Sequence, residues 1–186
     1  MGNIRSETFL LAQSFKEALS FKELVEVIKE YNNSIANSNL FFPNQETLQI
    51  MYWAKREKIS FGPYQNLTFF EISNRIYSDF VLLEAAQILF KEYFIKSIQL
   101  KMSNHSGSDL VVIDKNNNEI EGEAFNTAPS FFQIKMRNEL NKIKKNNNSV
   151  GIIAFNESAL NDKNSIYLER KKLEYPNIVF VACKKL

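Results

Sequence analysis

Apolar residues along this 186-residue chain follow two periods. Up to about residue 96 they recur every three or four positions, as on a helix; from residue 98 they alternate or run together, as in strands. Phe9, Leu10, Ala12 and Phe15 form one stripe, and Leu24, Val25, Val27 and Ile28 another, so one long helix or two short ones are expected over 6–31. Ser20 with Glu23 is a capping box that starts the second. The stretch 32–44, with Phe41, Phe42 and Pro43, reads as a loop. A helix is expected over 45–58, with Leu48, Met51 and Tyr52 on one side and Trp53 as a packing anchor. FGPYQN at 61–66 reads as a turn, and Thr68 with Glu71 as a second capping box. The segment 78–96, SDFVLLEAAQILFKEYFIK, is apolar round most of its circumference, which implies a helix buried on several sides.

The period then changes. Residues 98–102 alternate, as in a half-buried strand, and a loop carrying His105 follows. LVVI at 110–113, a turn at 116–118 and EIEGEAF at 119–125 read as a hairpin. Ser130 and Gln133 suggest a third capping box, opening a helix over 130–145 with Phe131, Ile134, Leu140 and Ile143 facing inward. VGIIAF at 150–155 is continuous, as expected of a strand covered on both faces. A helix over 166–175 and a strand over 177–183 complete the chain. The order, helices first and then β-β-β-α-β-α-β, predicts an α/β fold, a mixed sheet flanked by helices. A helical N-terminal third, 1–77, and an α/β core, 78–186, are expected to form one domain.

Composition narrows the chemistry. Hydrophobic residues make up 45% and charged residues 24%, as in ordinary globular proteins. No apolar run approaches the ~20 residues needed to span a bilayer. The one cysteine, Cys183, excludes an internal disulfide and a cysteine-based zinc site, and its apolar neighbours make it a buried thiol. The single His105 excludes any site needing two histidines from this chain. A net charge of +2 argues against strong nonspecific nucleic-acid affinity from the field of the whole molecule.

Three acids stand out on the hairpin. Asp109 opens its first strand, and Glu121 and Glu123 sit two apart on the second, facing the same way. Such a cluster is tolerable when solvated, protonated or bound to a divalent cation. Mg²⁺ takes oxygen ligands and needs only one or two carboxylates when phosphate completes its shell. Asp109 and Glu121 are candidate ligands. Glu123 is a candidate for a second metal or for accepting a proton from an attacking water. Glu84, inside the apolar helix, either points to a wet edge or faces the acids as a further ligand. Lys135, Arg137, Lys142, Lys144 and Lys145 make one helix basic, which is either a solvated face or a set of phosphate contacts.

The run S-D109-L-V-V-I, turn, I-E121-G-E123-A-F, basic helix, strand resembles the core of the PD-(D/E)xK restriction-endonuclease superfamily over about 78–156. The resemblance implies a restriction-endonuclease-like core in which Asp109 and Glu121 bind catalytic Mg²⁺; Glu123 is expected to be catalytic, and Glu84 is a candidate for an added metal ligand. Ser108 stands where the motif's Pro is usual and Glu123 where its Lys is usual; Gln133 and Lys135 are candidates to replace that Lys. The whole chain is most similar to the small cleavage subunit of heterodimeric type IIS restriction endonucleases. That implies a bacterial, cytoplasmic enzyme cutting one strand of double-stranded DNA beside a larger, site-recognising partner, with Lys135, Arg137 and Lys142 touching DNA. A non-catalytic interaction subunit and a stand-alone homodimeric repair or recombination nuclease are the alternatives.

Overall fold

The computed structural model describes residues 18–40, 46–102, 107–145 and 150–184, the side chain of Lys145 excepted. The expected stripe over 9–15, the Phe41–Phe42 pair and His105 lie outside the described residues. The fold is α/β, a mixed sheet flanked by helices.

Helix α1 spans Phe21–Ala36, opened by the capping box expected at Ser20 and Glu23. Helix α2 spans Thr47–Arg56. Strands β1 (Lys58–Phe61) and β2 (Tyr64–Thr68) then form an antiparallel hairpin. This corrects the expectation of a wholly helical first third. The two strands are too short to show a period of their own. They hold because Tyr64 and Leu67 bury against Ile72, and Gly62 turns the chain with φ of 58° beside Ile35.

Helix α3 spans Phe69–Glu92, from the capping box at Thr68 and Glu71. It crosses position 77–78 without a break, so the expected start of a helix at 78 is corrected to 69. Its residues Val81, Leu82, Leu83, Ala85, Ala86 and Leu89 are all buried, between the sheet and α1.

Strands β3 (Ser97–Leu100), β4 (Leu110–Ile113) and β5 (Glu119–Phe125) meander antiparallel. Helix α4 (Phe132–Lys145) crosses to β6 (Gly151–Asn156), and α5 (Asp162–Glu174) to β7 (Ile178–Cys183); both crossovers give parallel pairs. The sheet order is β3-β4-β5-β6-β7. Every residue of β6 is buried, as its unbroken apolar run predicts.

The two faces of the sheet carry separate cores. Leu110, Val112, Ile152, Ala154, Val181 and Cys183 pack under α3. Phe125, Ile153 and Phe155 pack under α4 and α5 with Phe132, Met136, Leu140, Ile143 and Leu168. The third capping box does not form: a 3-10 turn at Pro129–Phe131 precedes α4, and no side chain caps it. That turn shifts the phase of the helix. Phe132 and Met136 face inward, and Phe131 and Ile134, expected there, are exposed. Likewise Leu48, Met51 and Tyr52 of α2 are exposed.

Candidate active site

Strand pairing brings two of the hairpin acids together. Leu110 pairs with Gly122, so Asp109 and Glu123 are the next opposed positions outward. Glu121 instead opposes Val111. Asp109 Oδ2 accepts from the Ala124 amide at 2.8 Å, which ties this side chain to the neighbouring strand. The Asp109 and Glu123 carboxyls are close enough to influence each other's protonation. Gly122 permits the close packing beneath them: a Cβ there would lie 2.6 Å from Leu110 Cδ1 and 2.9 Å from Ile152 Cβ.

The cation of this site comes from α4. Lys142 Nζ donates to Glu123 Oε2 at 2.9 Å and forms an ion pair with Glu139 Oε2 at 2.5 Å. Glu123 and Glu139 are buried, whereas the Lys142 side chain is 55% exposed. Burial raises the Glu123 carboxyl to about 7, against the bond from Lys142. Burial likewise raises the Asp109 carboxyl, opposed by the Ala124 amide and by Lys142. Burial works against the Lys142 ammonium, yet its bonds to Glu139 and Glu123 raise it overall. Two opposed acids whose protonated forms are favoured by burial can exchange those protons for a divalent cation.

The other candidates fall elsewhere. Glu84 Oε1 accepts from the Lys184 amide at 3.1 Å, just beyond β7. At the usual strand spacing of ~4.8 Å, β7 is about 14 Å from β4, so Glu84 is corrected from a ligand beside Asp109 to a residue of the far edge. No three Asp, Glu, His or Cys side chains among the described residues group to hold a metal, so a three-carboxylate set is not formed. Gln133 Nε2 donates to Asn164 Oδ1 at 3.1 Å, on α5. Lys135 and Arg137 are exposed, and Lys135 lies two turns, about 10 Å, along α4 from Lys142. Lys144 sits 4.7 Å from the ring centroid of Tyr175. Lys142, expected as a DNA contact, is also engaged by two acids.

Two site residues leave only a faint mark in the sequence pattern. Glu139 lies on the buried stripe Phe132, Met136, Ile143, and an acid on an apolar stripe is the signal that marks it. Asp79 is 3% exposed and accepts from Tyr31 Oη at 2.9 Å. Burial pushes its carboxyl well above the usual range, although the Tyr31 bond opposes this. Asp79 becomes visible once α3 is started at the Thr68 cap, because it then shares a stripe with Ile72 and Leu83. It lines a pocket of about 270 Å³ together with Asp109 and Ala124.

Cys183 is the expected buried thiol: Sγ donates to Val81 O at 3.4 Å, and burial pushes it up to about 12. No helix among the described residues is long and apolar enough to cross a membrane. No family model matches the chain, and no curated protein or solved structure matches it either.

Proposed function

We propose that this chain is a Mg²⁺-dependent endonuclease subunit that hydrolyses one strand of double-stranded DNA beside a larger, site-recognising partner. The observation that carries the reading is the opposed Asp109–Glu123 pair with Lys142 Nζ at 2.9 Å. Three antiparallel strands, a helix and a parallel strand, with Asp109 entering the second strand, support the resemblance to PD-(D/E)xK nucleases.

Asp109 and Glu123 would hold the cation, and two carboxylates suit Mg²⁺ when phosphate and water supply the other oxygens. A Mg²⁺ held by Asp109 and Glu123 would make hydroxide available near neutral pH and offset charge on the phosphoryl oxygens. Glu123 then takes the role the motif gives to its first acid. An ammonium has three N–H donors. Lys142 donates one to Glu123 and forms an ion pair with Glu139, and a further donor would serve the phosphate. Glu139, buried behind it, orients that ammonium. As water oxygen bonds to phosphorus, one phosphorus–oxygen ester bond breaks, and the water's proton passes to solvent or to the departing sugar oxygen.

The test is cleavage of supercoiled plasmid in Mg²⁺ by the full chain, alone and with its larger partner. Nicking or linearisation that disappears in both Asp109→Ala and Glu123→Ala is expected. Unchanged cutting in both variants sinks the reading. No Mn²⁺ uptake by the wild-type chain, with cutting retained in the Glu123→Ala complex, would favour a non-catalytic interaction subunit.

A further inference from the structure

The pocket beside Asp109 opens on the α3 side of the sheet, away from Lys142. Arg75 and Asp79 reach it from α3, and Lys101 from the end of β3. The Lys101 amide donates to Asp109 O at 2.7 Å, and the Ala124 amide to Asp109 Oδ2 at 2.8 Å. Lys101, Asp109 and Ala124 therefore stand side by side across three adjacent strands. Asp109 is the wall shared by the acid pair and the pocket.

Arg75 and Lys101 outnumber Asp109 among the ionised side chains of this pocket, which favours an anion. Neither Arg75 nor Lys101 forms a salt bridge among the described residues. Arg75 rests 5.9 Å from the Tyr64 ring centroid, and Glu71, one turn earlier, is engaged at the Thr68 cap. Asp79 is bonded to Tyr31, and burial pushes its carboxyl well above the usual range, which favours its uncharged form. Asn74 and Ser78 add an amide and a hydroxyl as hydrogen-bonding groups.

We propose that this pocket binds a backbone phosphate of the nucleic-acid strand next to the one being cut, with Arg75 and Lys101 as its cationic ligands. The proposal rests on the endonuclease reading of Asp109 and Glu123 and names how their substrate strand is held. A guanidinium offers a planar fork to phosphate oxygens, and an ammonium a mobile point charge. A phosphate held here fixes the register of the strand over Asp109, because backbone contacts position rather than specify. A cation held between Asp79 and Asp109 would instead face two positive side chains in the same cavity.

The experiment is fluorescence anisotropy of a labelled DNA duplex with the full chain in EDTA, across roughly 20–200 mM salt. The Arg75→Gln/Lys101→Gln variant is expected to bind about tenfold more weakly at the lowest salt. Its log Kd against log salt slope is expected to fall by about two, one for each positive charge removed from the phosphate. Lys101→Gln alone, should the double variant fail to fold, is expected to lower the slope by about one. Lys172→Gln, whose lysine pairs with Glu169 on α5, keeps the wild-type slope. A folded double variant with an unchanged slope overturns the proposal, and the endonuclease reading survives if cutting still depends on Asp109 and Glu123. Mn²⁺ uptake that is lost in Asp79→Asn, with the slope unchanged in the double variant, makes the pocket a cation site and also overturns it. A wild-type chain that binds no DNA at the lowest salt overturns this proposal, whereas the endonuclease reading is decided by plasmid cutting in Mg²⁺ with the partner present.

Discussion

Lys142 Nζ lies 2.9 Å from Glu123 Oε2, although 19 positions separate the residues along the chain. The pair joins α4 to the middle strand of the sheet and brings a cation to the acid opposite Asp109. In the PD-(D/E)xK motif on which the proposed reading rests, the lysine follows its acid by two positions on the same strand. Counted from Glu123, that place is held by Phe125, whose ring stacks with Phe155 in the core. A lysine two turns and more down the next helix reaches the same acid from the side.

Glu123 is therefore expected to matter more than Glu121. Plasmid cleavage in Mg²⁺ should fall by at least about a hundredfold in Glu123→Ala. Glu121→Ala, with Glu121 opposing Val111 rather than Asp109, should stay within about tenfold of wild type. Manganese titration followed by electron spin resonance should rank the two variants in the same order.

Removing the cation leaves two buried acids together. Lys142→Met is expected to lower stability by about 1–2 kcal/mol. This is less than for a fully buried pair, because the lysine is more than half exposed and water screens it. Urea unfolding reads this directly. Cleavage should fall by roughly two orders of magnitude, as when one oriented charge is removed from a transition-state site.

Without divalent cation the fold should weaken as pH rises through neutrality. Burial raises the Glu123 carboxyl to about 7 from its ordinary value of 4.5. The folded state thus holds a proton that the unfolded chain releases, so this contribution is complete below about 4.5 and lost as pH climbs to about 7. A fall in Tm of about 5 °C between pH 5 and pH 8 in EDTA is expected. Glu123→Gln should flatten that profile, and calorimetry of both proteins across this range checks it.

Gly122→Ala should disturb the site from behind. The added Cβ meets Leu110 on one strand and Ile152 on the other, both in the core, so the strands must part. A cost of about 1–3 kcal/mol is expected in chemical denaturation. Mn²⁺ affinity should drop with it, since Glu123 is the next residue.

Asp79 should tolerate a neutral isostere better than truncation. Asp79→Asn keeps an oxygen for Tyr31 and matches the uncharged state that burial favours, so stability at pH 7 should change by less than about 1 kcal/mol. Asp79→Ala leaves the buried Tyr31 hydroxyl short of its acceptor and should cost about 1–3 kcal/mol. Equal losses in the two variants would argue against a neutral Asp79.

What the sequence determined by itself was local or periodic. The capping boxes at Ser20–Glu23 and Thr68–Glu71 were legible because cap and partner are three residues apart. The covered strand β6 was legible because both of its faces are apolar, and Asp109 and Glu123 because acids at strand positions leave a pattern. The β1–β2 hairpin was not, since four- and five-residue strands show too little alternation and are held by packing on Ile72. The tertiary structure alone decided which acids meet. Antiparallel register sets Asp109 opposite Glu123 rather than Glu121, and the turn at Pro129–Phe131 sets the phase that points Lys142 at Glu123. Packing of α3 against the sheet likewise places Asp79, rather than Glu84, beside Asp109. Strand register and helix phase depend on contacts between residues far apart in the chain, and no local spacing encodes them.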